Sequence, residues 1–488
     1  MDILDLLSFI YLYLPVDIFF IMWLKPIFSI PLIAITLILL FSFNPHSTHI
    51  KLSPRLVIIL VLVAVAISYW CMSAGLGGFT AQSADWPKHN VLLLDLINKS
   101  WPVHYTLGAH HGILSYYIGF YIIPAMMGKL FGFNFAQDIM LIWATIGIIL
   151  TILQLYRYIG NVHPSRMIAI FFGIVMFGTF LYVLYGLFKV WAPQDASAVV
   201  GEWFSSKVTA QYTSVSTQLK VVFPQTIPAM LGTALLVDKL NRPEYWGQVC
   251  APLVLYSIFS FLGLVLLICL TACIQLTMFF IRHRNTLFKK YLSSLFNYRN
   301  IFAIIISIGL FLYIGCNLFQ PKPSAAMLSF TLTPWAKYPI DYIVMQASWL
   351  IWAGVLIHHN KNNLLLLSAD IILLILPSFS YGAFNDFCMR VSIPALFVLN
   401  FLVIKDLVLY WKKDHFYSAI ILLFLILTGL GPIGGQYLQS PLPALISHKR
   451  YYNMPFKSGK SFFSSSIPVK YQYVDWHANS GLAKKIIR

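Results

Sequence analysis

Residues 56–72 read LVIILVLVAVAISYWCM, and residues 73–90 continue SAGLGGFTAQSADWPKHN. The first stretch is apolar over the length that a membrane-spanning helix needs, about 17–25 residues. The second is a polar loop that carries an acid, a base and an imidazole close together, at Asp85, Lys88 and His89. The whole chain repeats this contrast, being 59% hydrophobic and 10% charged with a mean hydropathy of +0.77. These values predict an all-α polytopic membrane protein and exclude a soluble domain of this size.

The apolar runs predict about 13 transmembrane helices. They lie at approximately 5–24, 27–43, 54–72, 136–157, 167–188, 221–238, 249–264, 266–281, 300–319, 342–358, 364–379, 389–404 and 416–436. Residues 112–131 either span the membrane or lie along its outer surface, and we predict an interfacial helix after the first large external loop. Residues 249–281 form either one long tilted helix or a tight hairpin. We predict the hairpin because it keeps the basic segments on both sides of it at one membrane face.

The formal net charge of +17 is concentrated in short connectors between the apolar runs. The connectors contain Lys51, Arg55, Arg157, Arg166, Lys239, Arg242, Arg282, Arg284, Lys289, Lys290, Arg299, Lys405, Lys412 and Lys413. Basic residues crowd the cytoplasmic loops of membrane proteins, so this clustering predicts a multi-pass protein of the plasma (inner) membrane with its N-terminus inside. It also argues against nucleic acid as a partner. Loops 73–111, 189–220, 320–341 and 380–388 are then external.

Two domains are predicted from these spans. Residues 1–436 form the transmembrane domain. Residues 437–488 are polar, aromatic and interrupted by prolines, and we predict that they form a small external C-terminal extension packed on the membrane domain.

Asp85 is the leading candidate for chemistry. Pro87 and the apolar residues after it predict a short amphipathic helix that begins close to Asp85. One interpretation makes Asp85 the N-cap of that helix, satisfying backbone N–H groups. The other makes it a general base, or the ligand of a divalent cation, at the outer membrane surface.

Further polar residues of loop 73–111 are candidates for substrate binding. Lys88 and His89 lie three and four residues after Asp85, the spacing that places side chains on one helix face. His110 and His111 end the same loop. The histidine spacing matches no familiar metal-ligand pattern, so hydrogen bonding to substrate hydroxyls or phosphate is favoured over a dedicated metal site.

Two other external loops add candidates. Loop 189–220 carries Asp195 and Glu202 near tryptophans, an arrangement that suits a sugar or, alternatively, an ordinary interfacial aromatic belt. Loop 380–388 leads into a span that begins near Arg390. An arginine there can fork onto a phosphate or pair with Asp386, and the two roles are compatible.

The order of these segments resembles the GT-C superfamily of membrane glycosyltransferases, which take sugars from polyprenyl-phosphate carriers. The residues that carry the resemblance are Asp85-Trp86, the helix at 112–130, the turn LFGFNFA at 130–136, FPQ at 223–225 and NDFCMR at 385–390. The layout covers most of residues 54–436. The chain departs from better-known members because Trp86 follows Asp85 where a second acidic residue is usual. Whether a metal ion takes part is therefore left open.

The resemblance implies an inverting transfer of a sugar from a polyprenyl-phosphate donor to a lipid, glycan or protein acceptor on the external, periplasmic side. Asp85 would act as base toward the acceptor hydroxyl or coordinate a divalent cation, and Arg390 would neutralise the carrier phosphate. A multi-span transporter or lipid flippase is the alternative from another class, although such proteins place ionisable groups along a path inside the spans. A polysaccharide polymerase or ligase is a further alternative, for which loop 320–341 contains few basic residues.

Overall fold

The computed structural model describes residues 3–42, 53–107, 110–160, 163–181, 183–184, 202, 210–318, 330–381, 385–437, 439–454, 474–475 and 486–487. This part of the chain is mostly helical, as predicted. Seven of its helical stretches are long and apolar enough to cross a membrane: Ile3–Trp23, Pro54–Ser73, Phe133–Ile159, Ile258–Ile281, Asn285–Gly315, Ile393–Tyr410 and His415–Gly434. Four shorter apolar helices add to them, at Pro26–Phe41, Gly119–Phe131, Arg166–Met176 and Leu364–Ser378. An α-helical membrane protein is therefore supported, and the count of thirteen spans stays a prediction.

The first half of the chain contains most of the loop structure. Its helices are α1 (Ile3–Trp23), α2 (Pro26–Phe41), α3 (Pro54–Ser73), α4 (Trp86–Asn98), α5 (Gly119–Phe131), α6 (Phe133–Ile159), α7 (Arg166–Met176), α8 (Val215–Val221) and α9 (Phe223–Asp238). Strands β1 (His104–Leu107) and β2 (His110–Leu114) form an antiparallel hairpin between α4 and α5. The interfacial helix predicted for 112–131 thus starts at Gly119, because its first residues belong to β2.

The second half contains long apolar helices and several short ones. They are α10 (Trp246–Cys250), α11 (Leu253–Tyr256), α12 (Ile258–Ile281), α13 (Asn285–Leu295), α14 (Tyr298–Leu318), α15 (Pro339–Asn360), α16 (Leu364–Ile375), α17 (Asp386–Val391), α18 (Ile393–Tyr410), α19 (His415–Gln436) and α20 (Leu442–Ser447). Strands β3 (Phe330–Leu332) and β4 (Phe379–Tyr381) pair with each other, and β5 (Val474–Asp475) extends the β1–β2 hairpin. These short strands are an addition to the predicted all-α fold.

The two spans predicted at 249–264 and 266–281 differ from the structure, which has one helix long enough to span a membrane in this region, Ile258–Ile281. Helix α12 is continuous from Ile258 to Ile281, across the predicted turn near residue 265. The chain reverses instead at Ser257, where the backbone is extended and the side chain accepts a hydrogen bond from the N–H of Ser260 at 3.2 Å. The short helices α10 and α11 provide the first arm. The hydroxyl of Ser257 also donates to Gln225 at 3.1 Å, so α9 and α12 begin at the same end of the bundle.

One end of the bundle is held together by four charged side chains, of which Asp5, Arg157 and Lys239 are buried and Asp238 is partly buried. Asp5 pairs with Arg157 at 2.6 Å and with Lys239 at 2.8 Å, and Asp238 pairs with Arg157 at 2.7 Å and also with Lys239. The two positive and two negative charges balance, which offsets the cost of removing them from water. The start of α1 and the ends of α6 and α9 therefore lie together, and we call this the Asp5 end.

Other predicted inner connectors join the Asp5 end. Asn300 donates to the carbonyl of Pro243 at 2.9 Å, and Arg299 donates to the carbonyl of Ser42 at 2.8 Å. The 282–299 segment, the end of α2 and the connector after α9 thus share one end. The prediction that these basic connectors face the same side agrees with this arrangement.

The opposite end carries Asp85, and we call it the Asp85 end. The segment after α20 packs there, since the N–H of Tyr451 donates to the carbonyl of Gly78 at 2.7 Å and Arg450 pairs with Asp138 at 2.9 Å. Near the C-terminus, the carbonyl of Ile486 accepts from the N–H of Lys25 at 3.0 Å. The described parts of the C-terminal extension therefore pack on the helical domain.

Candidate functional site

Asp85 precedes the first turn of α4 but does not cap it. Its side chain makes no capping hydrogen bond, so the predicted N-cap role of Asp85 is wrong. The carboxylate instead pairs with Lys88 at 3.7 Å, one turn along the helix, and is 44% exposed. An exposed carboxylate beside a lysine can accept a proton from an approaching hydroxyl.

His89 is buried, whereas Asp85 and Lys88 are partly exposed. Its Nε2 donates to the carbonyl of Val221 at 3.2 Å, because that oxygen can only accept. Its Nδ1 is then free of hydrogen and accepts from the hydroxyl of Tyr121 at 2.5 Å. Burial lowers the pKa of His89 well below its usual value, and the charges of Lys88 and Arg390 lower it further. His89 is therefore a neutral imidazole that orients Tyr121.

Arg390 is buried in the last turn of α17. Its guanidinium pairs with Asp386 at 2.9 Å, one turn earlier in the same helix. It also donates to the hydroxyl of Tyr117 at 2.5 Å and lies 6.0 Å from the ring centre of Phe259 in α12. The pairing with Asp386 that the spacing predicts is present. Together these contacts hold the cation in one orientation.

Tyr117 and Tyr121 connect the two groups. Tyr117, two residues before α5, contacts Arg390, and Tyr121, in the first turn of α5, contacts His89. Arg390 is also close enough to lower the pKa of His89 by its charge. The start of α4, the start of α5 and α17 thus meet at the Asp85 end. This is the candidate site, and it contains Asp85, Lys88, His89, Tyr117, Tyr121, Asp386 and Arg390.

Aromatic rings form one wall of the candidate site. The ring of Trp86 stacks on Phe223 with centroids 5.0 Å apart, and Phe223 also lies 5.0 Å from the ring of His89. Phe223 begins α9, two residues after Val221, whose carbonyl His89 contacts. The FPQ motif at 223–225 therefore positions α4 by packing.

Amide side chains fix the loop that precedes α4. Asn90 donates to Gln82 at 2.7 Å and to the carbonyl of Asn453 at 3.0 Å, while Gln137 donates to Asn90 at 2.8 Å. The N–H of Asn453 also donates to Gln82 at 2.9 Å. These four residues tie α4, α6 and the C-terminal extension together. The sequence gives no local signal for this network, because its members are far apart along the chain.

The other predicted substrate-binding residues have different surroundings. Glu202 is buried, with its carboxylate accepting from the N–H and the hydroxyl of Ser214, each at 2.7 Å, at the start of α8. His111 is exposed, and its recorded contact is with Thr106 of the neighbouring strand at 3.5 Å. His110 opens β2, opposite Leu107. Asp195 lies outside the described residues. None of these contacts joins the candidate site.

A metal ion at Asp85 finds little support in the surrounding side chains. Lys88, not a second carboxylate, is the charged neighbour of Asp85. Within the described ranges, Asp85 belongs to no group of three side chains that could ligate a metal. The residues present fit a base better than a cation site.

No family model, curated protein or solved structure matches the chain.

Proposed function

We propose that the protein is an integral-membrane glycosyltransferase that moves a sugar from a polyprenyl-phosphate donor to an acceptor hydroxyl at the Asp85 end. The observation that carries the proposal is that α4, which begins at the exposed Asp85–Lys88 pair, and α17, which holds the buried cation Arg390, both contact the segment that leads into α5. His89 of α4 contacts Tyr121, Arg390 contacts Tyr117, and the charge of Arg390 acts on His89. One base and one cation are the groups that a single displacement at a sugar phosphate requires.

The reaction would proceed in one step. The acceptor oxygen attacks the anomeric carbon while Asp85 accepts the hydroxyl proton. The bond between the anomeric carbon and the phosphate oxygen breaks, and its electron pair remains on the phosphate. A single displacement of this kind inverts the anomeric centre, as in inverting hydrolases. Charge develops on the phosphate as the bond breaks, and a fixed cation stabilises it without reorganisation.

Arg390 is the candidate for that cation. The guanidinium matches phosphate oxygens with paired donors, which a lysine ammonium does not. Asp386 and Tyr117 hold it in place before the donor arrives. Lys88, which lies beside Asp85 at the surface, would contact the sugar, while the buried rings of Trp86 and Phe223 support the helix that carries it.

The test measures donor turnover by the full chain in lipid nanodiscs. The probe is a radiolabelled polyprenyl-phosphate hexose or pentose, with a membrane-lipid extract as acceptor source and release of polyprenyl phosphate as readout. We expect turnover by the unaltered protein and a large loss of turnover in Arg390→Lys. Lysine keeps the positive charge but lacks the paired N–H donors of the guanidinium. Arg390→Ala should weaken donor binding by about 1.5–3 kcal/mol.

The Asp386→Asn variant tests the alternative that Arg390 only stabilises the fold through its ion pair with Asp386. If Arg390 only pairs with Asp386, the Asp386→Asn and Arg390→Lys variants should lose the same modest stability and keep the same donor affinity. That result would contradict the proposed role. Movement of labelled donor across the bilayer without bond cleavage would instead favour the lipid flippase.

A further inference from the structure

A second cluster of polar side chains lies at the far end of α18 from the candidate site. His358 and His359 occupy the last turn of α15, and Asp414 precedes the first turn of α19. The Oδ2 atom of Asp414 lies 3.8 Å from Nε2 of His358 and 3.9 Å from Nε2 of His359. The three ligand atoms all lie within 4.8 Å of one another.

Aromatic packing fixes one imidazole of this cluster. The ring of His359 stacks on Tyr410 with centroids 3.8 Å apart and planes 8° apart, and the ring of Tyr417 lies against it at 4.7 Å. The Nε2 atom of His359 is buried, and it makes no hydrogen bond to any residue that the structure describes. Its distance to Asp414 is too long for a hydrogen bond. A buried polar atom without such a partner is costly.

The two carboxylate oxygens of Asp414 make different contacts. Oδ1 accepts a hydrogen bond from the N–H of Tyr417 at 3.0 Å and caps α19. Oδ2 faces the two imidazoles. The capping bond therefore orients the carboxylate and leaves one oxygen directed at the histidines, as outer hydrogen bonds do for metal ligands.

Neighbouring charges are largely paired with one another. Asp406 accepts from Tyr417 at 2.8 Å and from Asn360 at 2.6 Å, and Lys405 pairs with Asp406 at 3.6 Å. Lys412 and Lys413 are exposed on the connector that leads to Asp414. Asp414 is therefore the carboxylate that faces the two imidazoles.

We propose that His358, His359 and Asp414 form a site for Zn²⁺ that links the end of α15 to the start of α19. Two imidazoles and one carboxylate are a ligand set that zinc accepts, with a remaining position for water. Zinc bonds of about 2.0–2.1 Å place tetrahedral ligand atoms about 3.4 Å apart. The separations of 3.8 and 3.9 Å from Asp414 must therefore shorten by about 0.4–0.5 Å, and the separation of the two imidazole nitrogens by at most about 1.4 Å. Rotation of the exposed His358 side chain and a small shift of Asp414 toward His359 provide these movements. The metal would also give the buried Nε2 atom of His359 a bonding partner.

The experiment uses the full chain, without a polyhistidine tag, in lipid nanodiscs. Zn²⁺ is titrated in competition with a chromophoric chelator, and Co²⁺ is titrated with its visible absorption as a second readout. We expect one equivalent of Zn²⁺ to bind with micromolar affinity or better. Asp414→Asn and His359→Ala should each weaken binding by at least about tenfold. The asparagine can still cap α19, so this variant separates metal binding from folding.

His415→Ala is the matched control, because this histidine is adjacent and exposed but outside the cluster. It should bind Zn²⁺ as the unaltered protein does, and a tenfold loss there would overturn the assigned ligand set. Failure of the unaltered protein to bind Zn²⁺, or unchanged binding in Asp414→Asn, would overturn the site itself. The site would also be overturned if the protein became more stable at low pH without Zn²⁺ and this gain required Asp414. Asp414 would then pair with protonated imidazoles and not with a metal ion.

Discussion

At the scale of single residues, burial sets the charge of polar side chains near the Asp85 end. Burial keeps His89 neutral by lowering its pKa, and burial raises the pKa of Glu202 from 4.5 to about 7. The hydrogen bonds from Ser214 and Thr217 lower the pKa of Glu202 but do not cancel the effect of burial. Glu202 therefore changes its charge close to neutral pH, while an exposed glutamate is fully ionised there.

Glu202 gives a prediction for stability against pH. The folded protein holds a proton on Glu202 between about pH 4.5 and 7, where the unfolded chain has released it. The free energy of unfolding should therefore fall as pH rises through this window and stay lower above it, by on the order of 3 kcal/mol. Glu202→Gln should reduce this fall by the share that Glu202 contributes, in thermal unfolding measured from pH 5 to pH 8. Glu244→Gln, at the other glutamate of the chain, should retain it; loss of the fall in both variants would contradict the assignment.

Local spacing predicts part of the candidate site. The pairs Asp85–Lys88 and Asp386–Arg390 lie three and four residues apart and are present as ion pairs. The contact between Arg390 and Tyr117 joins residues 273 positions apart, and no periodicity of the sequence encodes it. The N-cap role considered for Asp85 fails because proximity to a helix start does not fix where the side chain points.

At the scale of elements, close contact between α12 and α17 positions Arg390. A Cβ atom added at Gly263 of α12 would lie 2.1 Å from the carbonyl oxygen of Val391, the residue after Arg390. Only glycine permits this approach. Hydropathy alone could not place the start of α12, since residues 249–281 are apolar throughout, whereas Ser257 caps the helix that follows it.

Gly263→Ala should therefore displace α17 and lower both stability and donor affinity. Overpacking of this kind costs about 1–3 kcal/mol. Thermal unfolding and donor binding in nanodiscs measure the two effects. Gly354→Ala is the control, because a Cβ atom there meets open space within α15. Equal unfolding temperatures for the two variants would show that the contact with Val391 does not constrain the helices.

At the scale of the whole molecule, the two ends of the bundle should face opposite sides of the membrane. The Asp5 end contains the basic connectors, which predicts that it is cytoplasmic and that the Asp85 end is external. The sequence predicts this grouping in part, because apolar helices such as α6 and α9 begin at the Asp85 end and finish at the Asp5 end. It predicts the small strands poorly, since β1 and β2 lie in a loop whose pairing with β5 depends on distant residues.

Cysteine labelling tests the orientation. Single cysteines at Ser83 and Asn285, with the six native cysteines replaced by alanine, are treated with a membrane-impermeant thiol reagent in intact cells. In the folded protein Asn285 is more exposed than Ser83. Labelling at Ser83 but not at Asn285 would therefore report the side of the membrane and not the exposure of the side chain. We expect labelling at Ser83 and none at Asn285 until the membrane is opened. The reverse pattern would place the candidate site in the cytoplasm.

The proposed transfer depends most directly on Asp85 as the base. Asp85→Asn keeps the shape of the side chain but removes its ability to accept a proton, and general-base catalysis contributes about 10²–10⁴-fold. We predict that sugar transfer in nanodiscs falls by at least about 100-fold in this variant while its thermal unfolding is unchanged. Asp138→Asn, at another half-exposed aspartate of the same end, should retain activity. Near-normal transfer by a folded Asp85→Asn protein would contradict the account.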